Sequence, residues 1–196
     1  MNISLSKGNR KLSKNVLIWN LPRLKTCPGA GACKDWCYEI KIERMYRNVI
    51  PYRTRNLAMS LAPQFVTKMV AYLSKRKEPY IRVHESGDFY DQIYLDKWYA
   101  IARQLPNKKF FAFTKSFHLN LWMGKPLNFN ILQSNGSRWD NLINWNHPTN
   151  RAILKGNKLS SKEYLCPFNG KNVGGCGDIC TVCMDDPKIH VVGYIH

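Results

Sequence analysis

The chain has 196 residues, of which 44% are hydrophobic and 22% are charged. This length and balance exclude a disordered chain and indicate one globular domain over residues 1–196. No stretch approaches the roughly 20 apolar residues of a membrane span, and the polar start lacks the apolar core of a secretory signal peptide. We therefore expect a cytoplasmic protein without a membrane partner.

The net charge is +17, from 30 Lys and Arg against 13 Asp and Glu. Such a charge attracts polyanions, so nucleic acid is a candidate partner. The basic residues are scattered along the chain, however, and no named nucleic-acid motif is present. The charge alone leaves open whether the attraction is functional or nonspecific.

The first half of the chain predicts one strand and a set of helices. Residues 1–14 are polar and basic, and we expect them to be flexible. Residues 16–21 read as a short buried strand that ends at Pro22. Helices are predicted over 36–48 and over 52–76, the second one broken at Pro63, which suits the first position of a new helix.

The second half alternates strands with a helix. Residues 80–84 form a predicted strand, 85–88 a turn, and Asp91 the cap of a helix. One face of this helix is apolar and reads as core; it comprises Tyr94, Trp98, Ile101, Ala102 and Leu105. Further strands are predicted over 109–114, 129–132, 152–154 and 189–192. The order predicts an α/β fold with a mainly parallel sheet, in the form of an open, partial β/α barrel.

Cysteines mark both ends of the chain. Cys27, Cys33 and Cys37 follow the first predicted strand with the spacing C-x5-C-x3-C. The other four lie in a Gly-rich loop over 166–183 with the spacing C-x9-C-x3-C-x2-C; they are Cys166, Cys176, Cys180 and Cys183. In a reducing compartment, clustered thiolates indicate zinc or an iron–sulfur cluster rather than disulfides.

The two groups allow different chemistry. Four C-terminal thiolates can complete a [4Fe–4S] cluster or a structural zinc site, or can pack without a metal. Three N-terminal thiolates leave one iron of a four-iron cluster open, and His84 or Asp88 at the next strand end could supply a fourth ligand. Alternatively, both groups surround one metal centre and leave some cysteines spare.

Several stretches resemble the phage "gene product 88" family. They are TCPGAGACKDWCYE (26–39), YRTRN (52–56), YIRVHESGDFYDQIYLDKW (80–98), FFAFTKS (110–116) and CGDICTVC (176–183). The resemblance implies a phage or prophage source, hence a host-cell cytoplasm, and an iron–sulfur protein. It implies no particular reaction.

The chain also looks more loosely like the core of a radical S-adenosylmethionine enzyme. Those enzymes carry three cysteines after the first strand of a partial barrel, with an aromatic residue before the third, as Trp36 precedes Cys37 here. They bind the cofactor's amino group at a turn after the second strand. The resemblance implies that Ser86, Gly87 and Asp88 bind S-adenosylmethionine. The spacing of the cysteines and the single glycine of this turn depart from the usual pattern.

From these patterns we predict an iron–sulfur protein with one or two [4Fe–4S] clusters and a redox or electron-transfer role, served by an unidentified electron donor or acceptor. The alternatives are a radical S-adenosylmethionine enzyme and a zinc-stabilised basic module that binds nucleic acid. No catalytic residue is assigned. Arg53, Arg55 and Asn56 form a polar run that reads as a solvated helix face.

Overall fold

The computed structural model describes residues 3–35, 37–153, 157–168 and 175–194. Its helices and strands follow in this order: β1 Ser6–Lys7, β2 Val16–Trp19, α1 Glu39–Met45, α2 Val49–Leu61, α3 Phe65–Leu73, β3 Tyr80–Val83, α4 Gln92–Gln104, β4 Lys109–Thr114, β5 Phe129–Ser134, β6 Thr149–Ile153, β7 Glu163–Leu165, α5 Val182–Asp185 and β8 His190–Tyr194.

All eight strands belong to one open sheet in the order β1-β2-β3-β4-β5-β6-β8-β7. Strand β1 pairs antiparallel with β2, and every other pairing is parallel. The predicted α/β class with a mainly parallel sheet is thus confirmed. The sheet does not close, since β1 and β7 form its two edges.

One face of the sheet is covered by helices and carries the main hydrophobic core. Trp19 from β2 packs against Phe65 of α3, with ring centroids 5.5 Å apart, and against Trp98 of α4 at 6.2 Å. The apolar face predicted for the fourth helix is buried in this core, as expected. The side chain of Asp91 caps that helix by accepting a hydrogen bond of 2.7 Å from the Tyr94 N–H.

The opposite face of the sheet carries a smaller apolar cluster. Val16, Ile18 and Phe111 point to this side, where they pack with Leu12 and with Met184 of α5. Successive side chains in a strand point to opposite faces of the sheet. The residues that precede and follow these three in their strands therefore point towards the helix-covered face. We call the side of the sheet with the smaller cluster the inner face.

The predicted strands are confirmed with shifts of a few residues at their ends. Helix prediction needs two corrections. The helix after the first cysteines begins only at Glu39, and the helix after Pro63 begins at Phe65. Pro63 and Gln64 form the turn between α2 and α3 instead of the first helical position.

The N-terminal segment is more ordered than its composition suggests. It contains β1, and its Leu5 and Leu12 side chains are buried. The prediction of a flexible segment was wrong because a few apolar residues within a basic segment suffice to attach it to the sheet. Residues 1–2, Trp36, Leu154 and residues 169–174, to which some sequence predictions refer, lie outside the described residues. Among the described helices, none combines the length and the apolar character needed to traverse a bilayer.

Candidate metal centre

Both cysteine groups open onto one cavity of about 680 Å³ on the inner face of the sheet. Its described lining includes six of the seven cysteines: Cys27, Cys33, Cys37, Cys166, Cys176 and Cys183. All seven thiols are half-buried, and none forms a disulfide. Residues from opposite ends of the chain therefore meet at one place, a question that the sequence leaves open.

The first cysteine loop lies at the carboxyl end of β2, where parallel sheets place their sites. It packs so closely on the ends of β4 and β5 that two of its residues must be glycine. A Cβ on Gly29 would overlap the carbonyl oxygen of Lys115, and one on Gly31 would lie 2.7 Å from the carbonyl oxygen of Gly136. These glycines hold the loop over the cavity.

The turn after β3 is attached to the same loop. The Asp88 N–H donates to the Thr26 carbonyl at 3.0 Å. Gly87 has a φ of +82°, and a Cβ there would lie 2.6 Å from the Leu21 side chain. Ser86 directs its hydroxyl to the Leu21 carbonyl at 3.0 Å. The structure thus brings Ser86, Gly87 and Asp88 to the cavity wall, and their binding of a cofactor stays a prediction.

Asp88 is the acidic group beside the first cysteine loop. Its carboxylate accepts hydrogen bonds from the Thr114 hydroxyl at 2.6 Å, the Phe89 N–H at 2.7 Å and the Lys115 N–H at 2.8 Å. Burial nevertheless raises the pKa of Asp88 from 3.8 to about 6. The Asp88 charge also helps to raise the pKa of the Cys27 thiol, so the two groups interact.

His84 is the second candidate for a fourth ligand. Its Nε2 atom lies 2.8 Å from the Tyr94 hydroxyl, and its ring stands 4.9 Å from the ring of Phe89. These neighbours belong to the helix-side core, but His84 also lines the cavity, and its buried Nδ1 atom has no hydrogen-bond partner among the described residues. Burial, followed by the charge of Arg82, lowers the pKa of His84 to about 3, so the ring is neutral.

The second cysteine group lies on the inner face, beneath the cavity. The Cys176 carbonyl accepts a hydrogen bond of 2.9 Å from the Ser13 N–H. The side-chain amide of Asn130 on β5 donates to the carbonyls of Cys183 and Asp186, both at 2.8 Å. The Tyr164 hydroxyl lies 3.7 Å from the sulfur of Cys180. The N-terminal segment, β5 and β7 thus position this group together.

Burial keeps several of the thiols protonated. It raises the pKa of both Cys27 and Cys183 to about 12, and it raises the pKa of Cys176 as well. Neighbouring thiols of the same group contribute to the raised pKa of Cys27 and to that of Cys183. Since metals bind thiolates, occupation of either group would release protons. Among the described residues, no three Cys, His, Asp or Glu side chains converge closely enough to chelate a single metal ion.

Lys115 lies beside the first group, at the end of β4. Its ammonium donates to the Ser134 carbonyl and to the Ser134 hydroxyl, both at 3.1 Å. Burial lowers the pKa of Lys115, an effect that nearby Cys33 and Asp88 oppose. The Ser116 hydroxyl is buried and donates to the Phe89 carbonyl at 2.7 Å. The neighbouring loops therefore already engage both polar groups.

Arg82 and Asn20 are two residues of the site that the sequence analysis does not single out. Arg82 stands on the inner face and lines the cavity together with residues of both cysteine groups. The Asn20 side chain accepts hydrogen bonds from the N–H groups of Glu85 and Ser86 at 2.7 and 2.9 Å. The alternation of polar and apolar residues in the strand YIRV is the only signal for Arg82, and it equally suits a solvated position.

The polar run on α2 requires a correction. Arg55 is exposed, as predicted, but Arg53 and Asn56 are buried. Arg53 forms ion pairs with Glu39 and Glu43 of α1, and the Asn56 side chain donates to the Asn20 carbonyl at 2.9 Å. Helix α2 faces another helix here and not solvent, because α1 returns over it after the first cysteine loop.

The chain is similar to phage proteins. A family model described as "Gene product 88" matches residues 3–163. The chain is 28% identical over 102 residues to the "Gene 88 protein" of Mycobacterium phage L5, which covers 46% of this chain and 43% of that protein. With the "Gene 88 protein" of Mycobacterium phage D29 it shares 26% identity over 102 residues, covering 46% and 42%.

The chain spans less than half the length of these curated relatives. The family match includes the first cysteine group and ends before Cys166, so the second group lies beyond it. No solved structure matches the chain.

Proposed function

The chain belongs to the phage gene product 88 family, and on that premise we propose that it is an iron–sulfur redox protein of the host-cell cytoplasm. Cys27, Cys33 and Cys37 would hold one [4Fe–4S] cluster with an open iron. The four C-terminal cysteines would hold a second, fully coordinated one. The convergence of six cysteines on one cavity carries the proposal.

The donor set fits clusters better than single zinc ions. A zinc ion needs four ligands at about 2.3 Å from one point, and the described thiols do not converge in that way. A four-iron cluster lies between its ligands, which surround it at wider separation, and each group of thiols borders open cavity space. Iron–sulfur clusters supply one-electron chemistry when they are bound.

The protein residues prepare each group for a different role. Gly29 and Gly31 hold the first thiols at the cavity edge, where a small molecule can reach them. The main chain of the second group is hydrogen-bonded to the N-terminal segment through Ser13 and to β5 through Asn130. We therefore assign the first group to the reactive site and the second to structural support or to electron relay.

Metal analysis of anaerobically prepared protein tests this function. Two clusters predict about eight irons and eight sulfides per chain, and one shared cluster predicts about four of each. In the two-cluster case, replacing Cys33 should remove half of the iron, and so should replacing Cys176. The exposed residue Ala32 of the same loop offers a matched control, because Ala32→Ser should leave the iron content unchanged. Zinc without iron would contradict the proposal.

A radical S-adenosylmethionine enzyme is the second candidate, and one observation favours it. The Ser86–Asp88 turn is hydrogen-bonded to the first cysteine loop through Asp88 and Thr26. Turn and thiols would then face one bound S-adenosylmethionine in the cavity.

The reduced protein should in that case bind S-adenosylmethionine with a change in its electron paramagnetic resonance spectrum and should release 5′-deoxyadenosine. The Cys37→Ala variant should do neither. A reduced protein with all of its iron that fails both assays would leave the simple redox role standing.

The third candidate function is a zinc-stabilised module that binds nucleic acid. The net charge of +17 supports this candidate. It predicts a colourless protein whose affinity for DNA or RNA falls steeply with salt concentration. The iron–sulfur proposal, by contrast, does not depend on binding to DNA or RNA.

A further inference from the structure

Arg82 stands on the inner face of β3 and lines the cavity onto which both cysteine groups open. In the sheet register it stands beside Ile18 of β2 and Phe111 of β4. Both neighbours belong to the small cluster under the C-terminal segment. The guanidinium lines the cavity together with Cys176 and Cys183.

The position of the guanidinium is well defined by its contacts. Its Nε donates to the His84 carbonyl at 2.8 Å. Its central carbon lies 4.1 Å from the ring centroid of Phe113 and 5.2 Å from that of Phe111. Cations are attracted to aromatic faces at such distances. These contacts orient the charge without neutralising it.

No carboxylate of the described residues forms an ion pair with Arg82, whereas Arg53 has two such partners. Arg82 is half-buried, and a charge that is partly removed from water is costly unless an opposite charge compensates it. Burial lowers the pKa of Arg82; Tyr38 and Glu85, and then Cys183 and Cys176, act in the opposite direction. When the second cysteine group holds a metal centre, its thiolates would supply the negative charge that compensates Arg82.

We propose that Arg82 is the counter-charge of the C-terminal cysteine site, where its guanidinium stabilises a reduced cluster more than an oxidised one and so raises the reduction potential. This inference rests on the proposed iron–sulfur function. Reduction adds one electron and no proton to a group that is already negative. A nearby positive charge therefore favours the reduced form, as net charge is one of the main determinants of cluster potentials.

The test isolates the C-terminal site. A background variant in which Cys27, Cys33 and Cys37 are replaced by alanine retains only the second group. Arg82→Met and Arg82→Lys are made in this background, and each protein is titrated with dithionite while electron paramagnetic resonance follows the reduced cluster. Loss of the charge in Arg82→Met should make reduction at least tenfold less favourable, a decrease of about 59 mV. Arg82→Lys keeps the charge and should shift the potential less.

Lys14→Gln provides a matched control, since Lys14 is basic and exposed and its charge is screened by water and salt. Its potential should equal that of the background protein. Arg82→Gln serves as a second uncharged variant if Arg82→Met does not fold.

The outcomes separate the inference from the function on which it rests. Equal potentials in the background and uncharged variants, at equal iron content, would refute the role of Arg82 and leave the iron–sulfur function intact. Equal decreases in Arg82→Lys and Arg82→Met would refute it too, because the charge would not be the cause. A background protein without iron and sulfide would remove both the C-terminal cluster and the inference.

Discussion

The side-chain oxygen of Asn20 accepts a hydrogen bond of 2.9 Å from the main-chain N–H of Ser86, and a second one of 2.7 Å from Glu85. One amide thus fixes the turn that follows β3 to the end of β2. The turn and the first cysteine loop keep their relative positions because both are attached to this strand end.

Replacement of Asn20 by alanine should destabilise the protein by about 1–3 kcal/mol, since two main-chain N–H groups would lose their acceptor. Urea unfolding of the metal-free protein measures this difference. The exposed Asn107 is the matched control, and Asn107→Ala should have almost no effect. Equal stability of the two variants would show that water replaces the Asn20 oxygen.

Arg53→Met should be strongly destabilising. The substitution leaves the carboxylates of Glu39 and Glu43 without their buried partner, and breaking a buried ion pair from one side costs about 3–5 kcal/mol. Arg55 lies two residues further on the same helix but is exposed, so Arg55→Met should change the free energy of unfolding little. Similar urea midpoints for both variants would contradict the burial of Arg53.

Gly29→Ala should displace the first cysteine loop, because the added methyl group overlaps the carbonyl oxygen of Lys115. The expected result is a loss of iron from the N-terminal group, with the C-terminal group retained. Iron content per chain measures this, and Ala32→Ser in the same loop is the control. Full iron content in Gly29→Ala would mean that the loop can shift without losing its ligands.

The stability of the metal-free protein should depend on pH through Asp88. Its pKa in the folded state, about 6, exceeds the ordinary value of 3.8, so the folded protein binds the proton more tightly than the unfolded chain. The stabilisation that this proton contributes is fully present below pH 3.8 and is lost as the pH rises through about 6. The stability of the wild type relative to Asp88→Asn should therefore fall between about pH 4 and pH 6.

Urea titrations of both proteins at several pH values test this sign. A constant difference across the range would show that Asp88 ionises in the folded protein as it does in water. A rising difference would show that its three hydrogen-bond donors outweigh the effect of burial.

The sequence predicts the parts of the fold that have strong local signals. Apolar runs such as KFFAFT mark the central strands, and Asp91 marks a helix start through its capping side chain. Strands β1 and β7 have two and three residues and no apolar run, so nothing local distinguishes them from loop. They exist because the neighbouring strand offers free hydrogen-bonding groups.

The site is predictable only in part, for a similar reason. The rule that sites lie at the carboxyl ends of parallel strands places the first cysteine loop beside the turn that contains Asp88. The position of the second group depends on contacts between Cys176 and the Ser13 region, which no local pattern encodes. Arg82 is missed because one polar residue in a strand reads as solvent-facing until the inner face is known to be covered.

The joining of the two chain ends beneath the cavity bears on how the protein folds. Asn15 contacts Asp178 across a separation of 163 residues, and contacts so distant in sequence slow folding because the intervening chain must be ordered first. The apolar cluster that receives Cys176 contains residues of β2 and β4, so it exists only once both strands have paired with β3. We therefore expect the second thiol group to assemble late in folding, so that a metal binding there would act on a sheet that has already formed.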